Sequence, residues 1–229
     1  MLGTIREMSE EVKPRTYDAT GRQREALERR RRIRAAATRL FLERGYAETP
    51  LTAVAEEAGV SVALVYSAFG TKSALLKEIY DTTLAGDDAP APVLERPPAA
   101  RMREEPNPAI VLRIYARSLR ARQERLAPLR RVLEGAAQVD PAARRLLEEN
   151  DAQRLQGMTS VADMLADKGG LAPGMDVDRA RDVLFTFTSA SVYDLLVRGR
   201  GWSLDAYEDL LATTWTRILL DPRFWDLPG

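Results

Sequence analysis

The chain contains no cysteine and no histidine. Without thiolate or imidazole there is no disulfide, no thiolate zinc site and no haem or metal ligation through His. Cysteine nucleophiles, histidine bases, and the Ser-His-Asp and Cys-His arrangements are excluded as well. Carboxylate chemistry and carboxylate-bound magnesium survive as enzyme options. No apolar run approaches the roughly 20 residues needed to span a bilayer. Met1 to Arg6 does not open as a signal peptide, a basic segment followed by a long apolar core. These absences predict a soluble cytoplasmic protein with no membrane partner. Net charge is missing too, because 34 Lys+Arg balance 34 Asp+Glu. A surface basic all over is thereby excluded; a local basic patch is not.

What is present is 229 residues, 45% apolar and 30% charged, enough chain for one large domain or two small ones. Residues 1–23 lack apolar periodicity and read as a disordered N-terminal arm, either a solvated tail or, through Arg6, Lys13, Arg15 and Arg22, a nucleic-acid arm. From Arg24 to Arg44 the pattern is helical: Ile33, Ala36, Ala37, Leu40 and Phe41 fall on one face, and Gly45 stops the helix. Thr52 is placed to cap a short helix ending at Gly59, Ser61 to cap a second over 62–69, and Thr71 a third over 72–84. Residues 24–84 thus form one helical domain. Prolines at 90, 92, 97, 98, 106 and 108 forbid a continuous helix, so residues 85–107 read as a Pro-rich linker or loop.

Residues 108–229 form a second helical domain. Its expected helices run from Pro108 to about Leu126, from Pro128 to Gln138, from Pro141 to Lys168 behind an Asp140 N-cap, from Asp178 to Val197, and from Ser203 to about 220. Along 141–168 the apolar face is Leu147, Leu155, Met158, Val161, Ala162 and Leu165. The 178–197 helix is apolar over most of its circumference, the mark of burial on more than one side. The fold class is all-α, with no strand signal and no internal repeat.

The segment 52–72 carries the chemistry. A short helix, a turn at Gly59 and a second short helix is the helix-turn-helix plan. Gly59 suits a positive φ, and Ala55, Ala58, Val60 and Val65 are small or branched, as closely crossed helices require. The second helix is the one that enters a major groove. Residues 22–80 carry eleven Lys+Arg against seven Asp+Glu, whereas 81–229 carry 20 against 23. The basic part is therefore the part that would face a phosphate backbone.

Ala36-Ala37, Leu40-Phe41, Gly45-Tyr46, Thr49, the Thr52-to-Ala58 helix, Gly59-Val60-Ser61, Val65-Tyr66, Phe69 and Thr71-Lys72-Ser73-Ala74-Leu75 resemble the TetR family of bacterial transcriptional regulators over about residues 30–80. The resemblance implies about nine helices per chain and a homodimer that binds a pseudo-palindromic double-stranded DNA operator. Helices one to three read DNA, the fourth links, and the rest bind a small-molecule effector and dimerise, here through 178–197 and 204–220. It further implies phosphate contacts from Thr52, Tyr66 and Lys72, with Ser61, Val62, Ala63, Leu64, Ser67 and Ala68 near base edges. Positions 62 and 68, often polar or aromatic in the family, are Val62 and Ala68 here, so no Arg-to-guanine pair comes from this helix. Methyl contacts, DNA shape or arm arginines are the remaining sources of specificity.

Tyr115, Met158, Phe185 and Thr188 lie on helices that surround the family's ligand cavity; ordinary core is their other reading. No cofactor, metal or catalytic residue is implied. The leading function is a transcriptional repressor released by a ligand. The alternatives are a constitutive DNA-binding dimer without an effector and, remotely, a carboxylate enzyme using Glu148, Glu149 and Asp151.

Overall fold

The computed structural model describes residues 19–85 and 97–226. Among them are ten α-helices and no strand. The helices are α1 (Ala19–Arg44), α2 (Leu51–Ala58), α3 (Val62–Phe69), α4 (Lys72–Ala85), α5 (Pro97–Glu104), α6 (Pro108–Val139), α7 (Pro141–Asp167), α8 (Val177–Phe187), α9 (Ala190–Tyr193) and α10 (Leu204–Leu219). Of the arm expected over 1–23, residues 1–18, with Arg6, Lys13 and Arg15, lie outside the described residues. Residues 19–23 are helical, an N-terminal extension of α1.

Several helix ends follow local chemistry. Ser61 accepts from Leu64 N at 3.2 Å, Thr71 from Ala74 N at 3.0 Å and Ser203 from Ala206 N at 3.1 Å. Asp140 accepts from Ala142 N at 2.8 Å with Pro141 next to it. Thr52 does not cap α2. Pro50 stands at the cap, and Thr52 is the second helical residue. The proline shifts the start because its fixed φ is already suited to a helix entry.

Three expectations differ from the structure. Within the Pro-rich stretch, residues 97–104 are helix α5, with Pro97 and Pro98 in the first turn, where a missing N–H costs no bond. Pro128 does not start a new helix but lies inside the 32-residue α6. The residues on either side of it, Ala127 and Leu129, are buried and hold the helix continuous through it. The helix expected over 178–197 is broken into α8, α9 and a π-helical turn Asp194–Arg198. The break has a cause: side chains from other helices take its backbone carbonyls. Gln123 Nε2 donates to Thr188 O at 2.7 Å and Arg154 Nη1 to Phe185 O at 2.6 Å. Ser189, in an extended conformation, then recaps the chain by accepting from Ser191 N.

Two buried cores result. The first joins α1–α4 with Leu126, Leu129, Val132, Leu133 and Ala136 of α6 and Ala143 and Leu146 of α7. The second joins the first half of α6 with α7, α8, α9 and α10. On α7, Ala143 and Leu146 are buried where the sequence pointed to Leu147 and Leu155; Leu155 is 37% exposed. The second core contains Trp215, stacked on Tyr115 at 5.5 Å, and Tyr207, edge-on to Tyr193 at 5.3 Å. Tyr207 Oη and Trp215 Nε1 are buried without a hydrogen-bond partner. Removing an unpartnered hydroxyl removes a desolvation cost. Tyr207→Phe is therefore expected to leave the melting temperature unchanged or raise it slightly, as thermal denaturation followed by circular dichroism would report.

No single helix among the described residues is long and apolar enough to cross a membrane.

Candidate DNA-binding head and ligand cavity

Between α2 and α3 the chain bends by 107°, within the range of helix-turn-helix units. Gly59 makes the bend with φ 64°, while Gly59 N donates to Glu56 O and Val60 N to Ala55 O, closing the α2 carbonyls. Val54, Ala55, Ala58, Val65 and Phe69 fill the space between the two helices and α1. Thr49, fully buried, anchors the entry to α2 by donating to Gly45 O at 2.8 Å.

The outer face of α3 is left to solvent. Ser61, Ala63, Tyr66 and Ser67 are exposed, Val62, Leu64 and Ala68 half-buried, and Tyr66 shows 54% of its surface. Thr52 is exposed at the start of α2. Lys72 is more engaged than a free cation: its ammonium lies 4.2 Å from the centre of the Tyr46 ring and donates to Ala47 O at 3.4 Å. Partial burial lowers its pKa, with Asp140 and Glu48 pulling the other way.

Of the run Arg29–Arg32, Arg30 turns inward. It forms a bidentate pair with Glu78 of α4, donates to Ala68 O at the C-terminal end of α3 at 2.6 Å, and lies 4.4 Å over the Phe69 ring. Arg34 donates to Thr82 of α4 at 2.7 Å. The head is thus tied to α4 through polar contacts as well as through Leu75, Leu76 and Ile79.

The other end of α4 reaches a cavity of about 340 Å³ between α4, α6, α7 and the α8–α9 break. Tyr80 and Leu84 line it from α4, Leu119 and Leu126 from α6, Met158 from α7, and Thr188 and Ser189 from the break. The sequence candidates divide here. Met158 and Thr188 face the cavity. Tyr115 donates to Met158 Sδ at 3.2 Å and lines a neighbouring groove between α5, α6 and α7. Phe185 lies beneath the Arg154 guanidinium at 3.5 Å and contributes its carbonyl to Arg154. Thr188 Oγ1 takes up the hydroxyl accounting by donating to Phe185 O at 3.2 Å and accepting from Arg154 at 3.1 Å.

Three arginines, Arg122, Arg130 and Arg154, line the cavity together with Gln123, Glu134, Asn150 and Gln153. The arginines escaped the sequence reading because an arginine on an amphipathic helix is ordinarily a solvated one. Asp151, one of the carboxylates weighed for magnesium, is taken by Arg130 at 2.8 Å and Arg154 at 3.5 Å. Among the described residues no group of three His, Cys, Asp or Glu could hold a metal ion.

Residues 33–79 match the family model described as bacterial regulatory proteins, tetR family. By this segment the chain is similar to the DNA-binding domain of the TetR family. The curated HTH-type transcriptional regulator HbdR of Aromatoleum sp. (strain CIB) is 46% identical over 59 residues, 24% of this chain and 26% of HbdR; the match spans about a quarter of that relative's length. Over most of the chain the likeness is structural. NalD of Pseudomonas aeruginosa, the secondary repressor of the MexAB-OprM multidrug efflux pump, superposes with a TM-score of 0.64 at 26% identity, covering 87% of this chain and 99% of NalD. A putative TetR-family transcriptional regulator from Mesorhizobium loti MAFF303099 shares the fold with a TM-score of 0.64 at 24% identity, covering 85% and 98%.

One more contact joins head to body. Tyr46, in the α1–α2 turn, donates its hydroxyl to Asp140 Oδ2 at 2.5 Å, while Asp140 Oδ1 caps α7. The bond is the main reason the Asp140 carboxyl is held below the usual carboxylate range, and burial together with this bond pushes the Tyr46 phenol up. Asp140, Tyr46 and Lys72 therefore form a continuous chain from the α6–α7 corner to the start of α4.

Proposed function

We propose that the protein is a homodimeric, sequence-specific DNA-binding transcriptional regulator, a repressor released when a small molecule enters the cavity. The observation that carries this reading is the placement of α4. Its first residue, Lys72, is held at the reading head; Glu78 and Thr82 grip α1; Tyr80 and Leu84 line the cavity. A ligand that fits only one arrangement of Tyr80 and Leu84 shifts the population of α4 positions and with it the two heads of the dimer. Phosphate contacts fall to Thr52, Tyr66 and Lys72, and Ser61, Val62, Ala63, Leu64 and Ser67 approach base edges.

The dimer is supported by apolar surface left over on the last helices. Leu195 is 64% and Ile218 42% exposed, and Val183, Val192 and Leu196 are only half-buried in the single chain. These lie on α8, α9 and the π turn, which replace the expected 178–197 helix, and on α10, the expected 204–220 helix. The constitutive-binder alternative requires a packed second core, and the cavity speaks against it.

Selection of the purified full chain against random duplex DNA at fixed physiological salt tests the reading. The expected product is an inverted repeat, with sedimentation giving twice the 25.5 kDa chain mass. Tyr66→Phe and Lys72→Ala are each expected to weaken binding about five- to tenfold across all sequences, and Lys72→Ala to reduce the salt slope by about one. A salt-sensitive binder that enriches no sequence would remove the regulator reading.

A further inference from the structure

The charges around the cavity do not balance. Three guanidinium groups line it, from Arg122, Arg130 and Arg154, against one lining carboxylate, Glu134. Arg130 is saturated by Glu134 at 2.9 Å and Asp151 at 2.8 Å. Arg154 shares Asp151 with Arg130, through the other carboxylate oxygen at 3.5 Å, and its remaining contacts are neutral: the Phe185 carbonyl and ring and the Thr188 hydroxyl. Burial lowers the Arg154 pKa, with Asp151 pulling the other way. Arg122 has no carboxylate partner at all among the described residues; its contacts are the Tyr115 hydroxyl at 3.4 Å and the Tyr115 ring at 5.9 Å. Arg122 also lines the neighbouring α5–α6–α7 groove, so it stands where the two spaces meet. Beside the arginines the wall has an apolar part, built from Leu84, Leu119, Leu126 and Met158.

We propose that the ligand of this cavity is a carboxylate carried on an apolar body, its head paired with Arg122 and Arg154 and its body against the leucines and Met158. A planar fork of donors matches a carboxylate better than any neutral group, and an anion supplies the carboxylate that Arg122 lacks and a second one for Arg154, which shares Asp151 with Arg130. The inference rests on the cavity being the effector site. It adds a mechanism for release: Arg154 holds the α8 carbonyl end at the α8–α9 break, so an anion that draws Arg154 into the cavity loosens the elements placed at the dimer surface.

Three probes with one apolar body and different heads test it by isothermal titration of the full chain: 4-phenylbutyrate, 4-phenylbutanol and 4-phenylbutylamine. The carboxylate is expected to bind at least about tenfold more tightly than the alcohol, and the amine not measurably. Arg122→Gln is expected to bring carboxylate and alcohol within about threefold of each other while its thermal melt stays that of the parent. Arg154→Gln is expected to act likewise with a lower melt, because α8 loses a donor. Equal or tighter binding of the alcohol or amine overturns the ligand class, and the effector reading survives if those probes release DNA. No binding by any of the three overturns both. Tight carboxylate binding with unchanged operator affinity upholds the ligand class and sinks the release reading.

Discussion

Replacing Arg30 by alanine is expected to destabilise the reading head by about 2 kcal/mol and to weaken operator binding about tenfold. The side chain is 41% exposed and Glu78 25%, so the ion pair alone, screened by solvent, contributes little, about 0.5–1 kcal/mol. The remainder comes from what the same guanidinium does on its other edges. It donates to the Ala68 carbonyl, one of those that α3 leaves open at its C-terminal end, and covers the Phe69 ring. Three helices, α1, α3 and α4, meet at one planar group. Without it the recognition helix keeps its N-terminal cap at Ser61 but loses its tether at the other end. Arg30→Lys is expected to rescue little, because a single ammonium does not serve both Glu78 oxygens and a carbonyl in a fixed fork. Thermal melts are expected to fall by about 4–8 °C for a chain of this size. A melt within a degree of the parent, with operator affinity intact, would show that the three contacts do not hold the helix.

Tyr46→Phe is expected to cost about 1.5 kcal/mol at neutral pH, since it deletes a hydrogen bond to a charged acceptor, and the cost should depend on pH with a defined sign. Tyr46 keeps the Asp140 pKa below its unfolded value. The stabilisation is therefore fully present above the unfolded carboxylate value of about 4 and is lost as pH falls through the lowered folded value. The stability difference between parent and Tyr46→Phe, measured by urea unfolding from pH 7 down to pH 3, is expected to shrink over the acid end of that range. A difference constant to pH 3 would mean that the phenol contributes packing only. Asp140→Asn is a sharper lesion, because it also disturbs the α7 cap.

The reading head was legible in the sequence because its constraints are local. Ser61 and Thr71 announce helix starts within three residues, Gly59 a turn, and Ile33 to Phe41 a single buried face. The cap of α2 was misplaced by two residues, since Pro50 and Thr52 both suit a helix entry and the fixed φ of Pro50 takes the earlier one. In the second half the misreadings share one physical source. Pro128 ends a helix by local rules, yet α6 runs through it under the packing of both cores. The residues 178–197 look continuous by periodicity, yet Gln123 and Arg154, far off in sequence, take the carbonyls at 188 and 185. The candidate site suffered in the same way. Met158 and Thr188 could be placed by the family resemblance, while Arg122 and Arg154 are cavity residues only because of how α4, α6, α7 and the α8–α9 break pack together.

The long helix α6 has a consequence for the independence of the two halves of the protein. Its residues up to Ala127 belong mainly to the second core, and Leu129, Val132, Leu133 and Ala136 belong to the first. The sequence changes character at the Pro-rich stretch before α5, but the packing changes some thirty residues later, inside a helix with Pro128 at the crossing. A chain severed in the Pro-rich stretch would leave the second half with a bare strip of leucine and valine, each side chain costing about 1.5–3 kcal/mol to return to water. Neither half is then an autonomous folding unit. The two are expected to melt in one cooperative step, and a fragment lacking the first 85 residues to self-associate through that strip rather than behave as an isolated ligand-binding module.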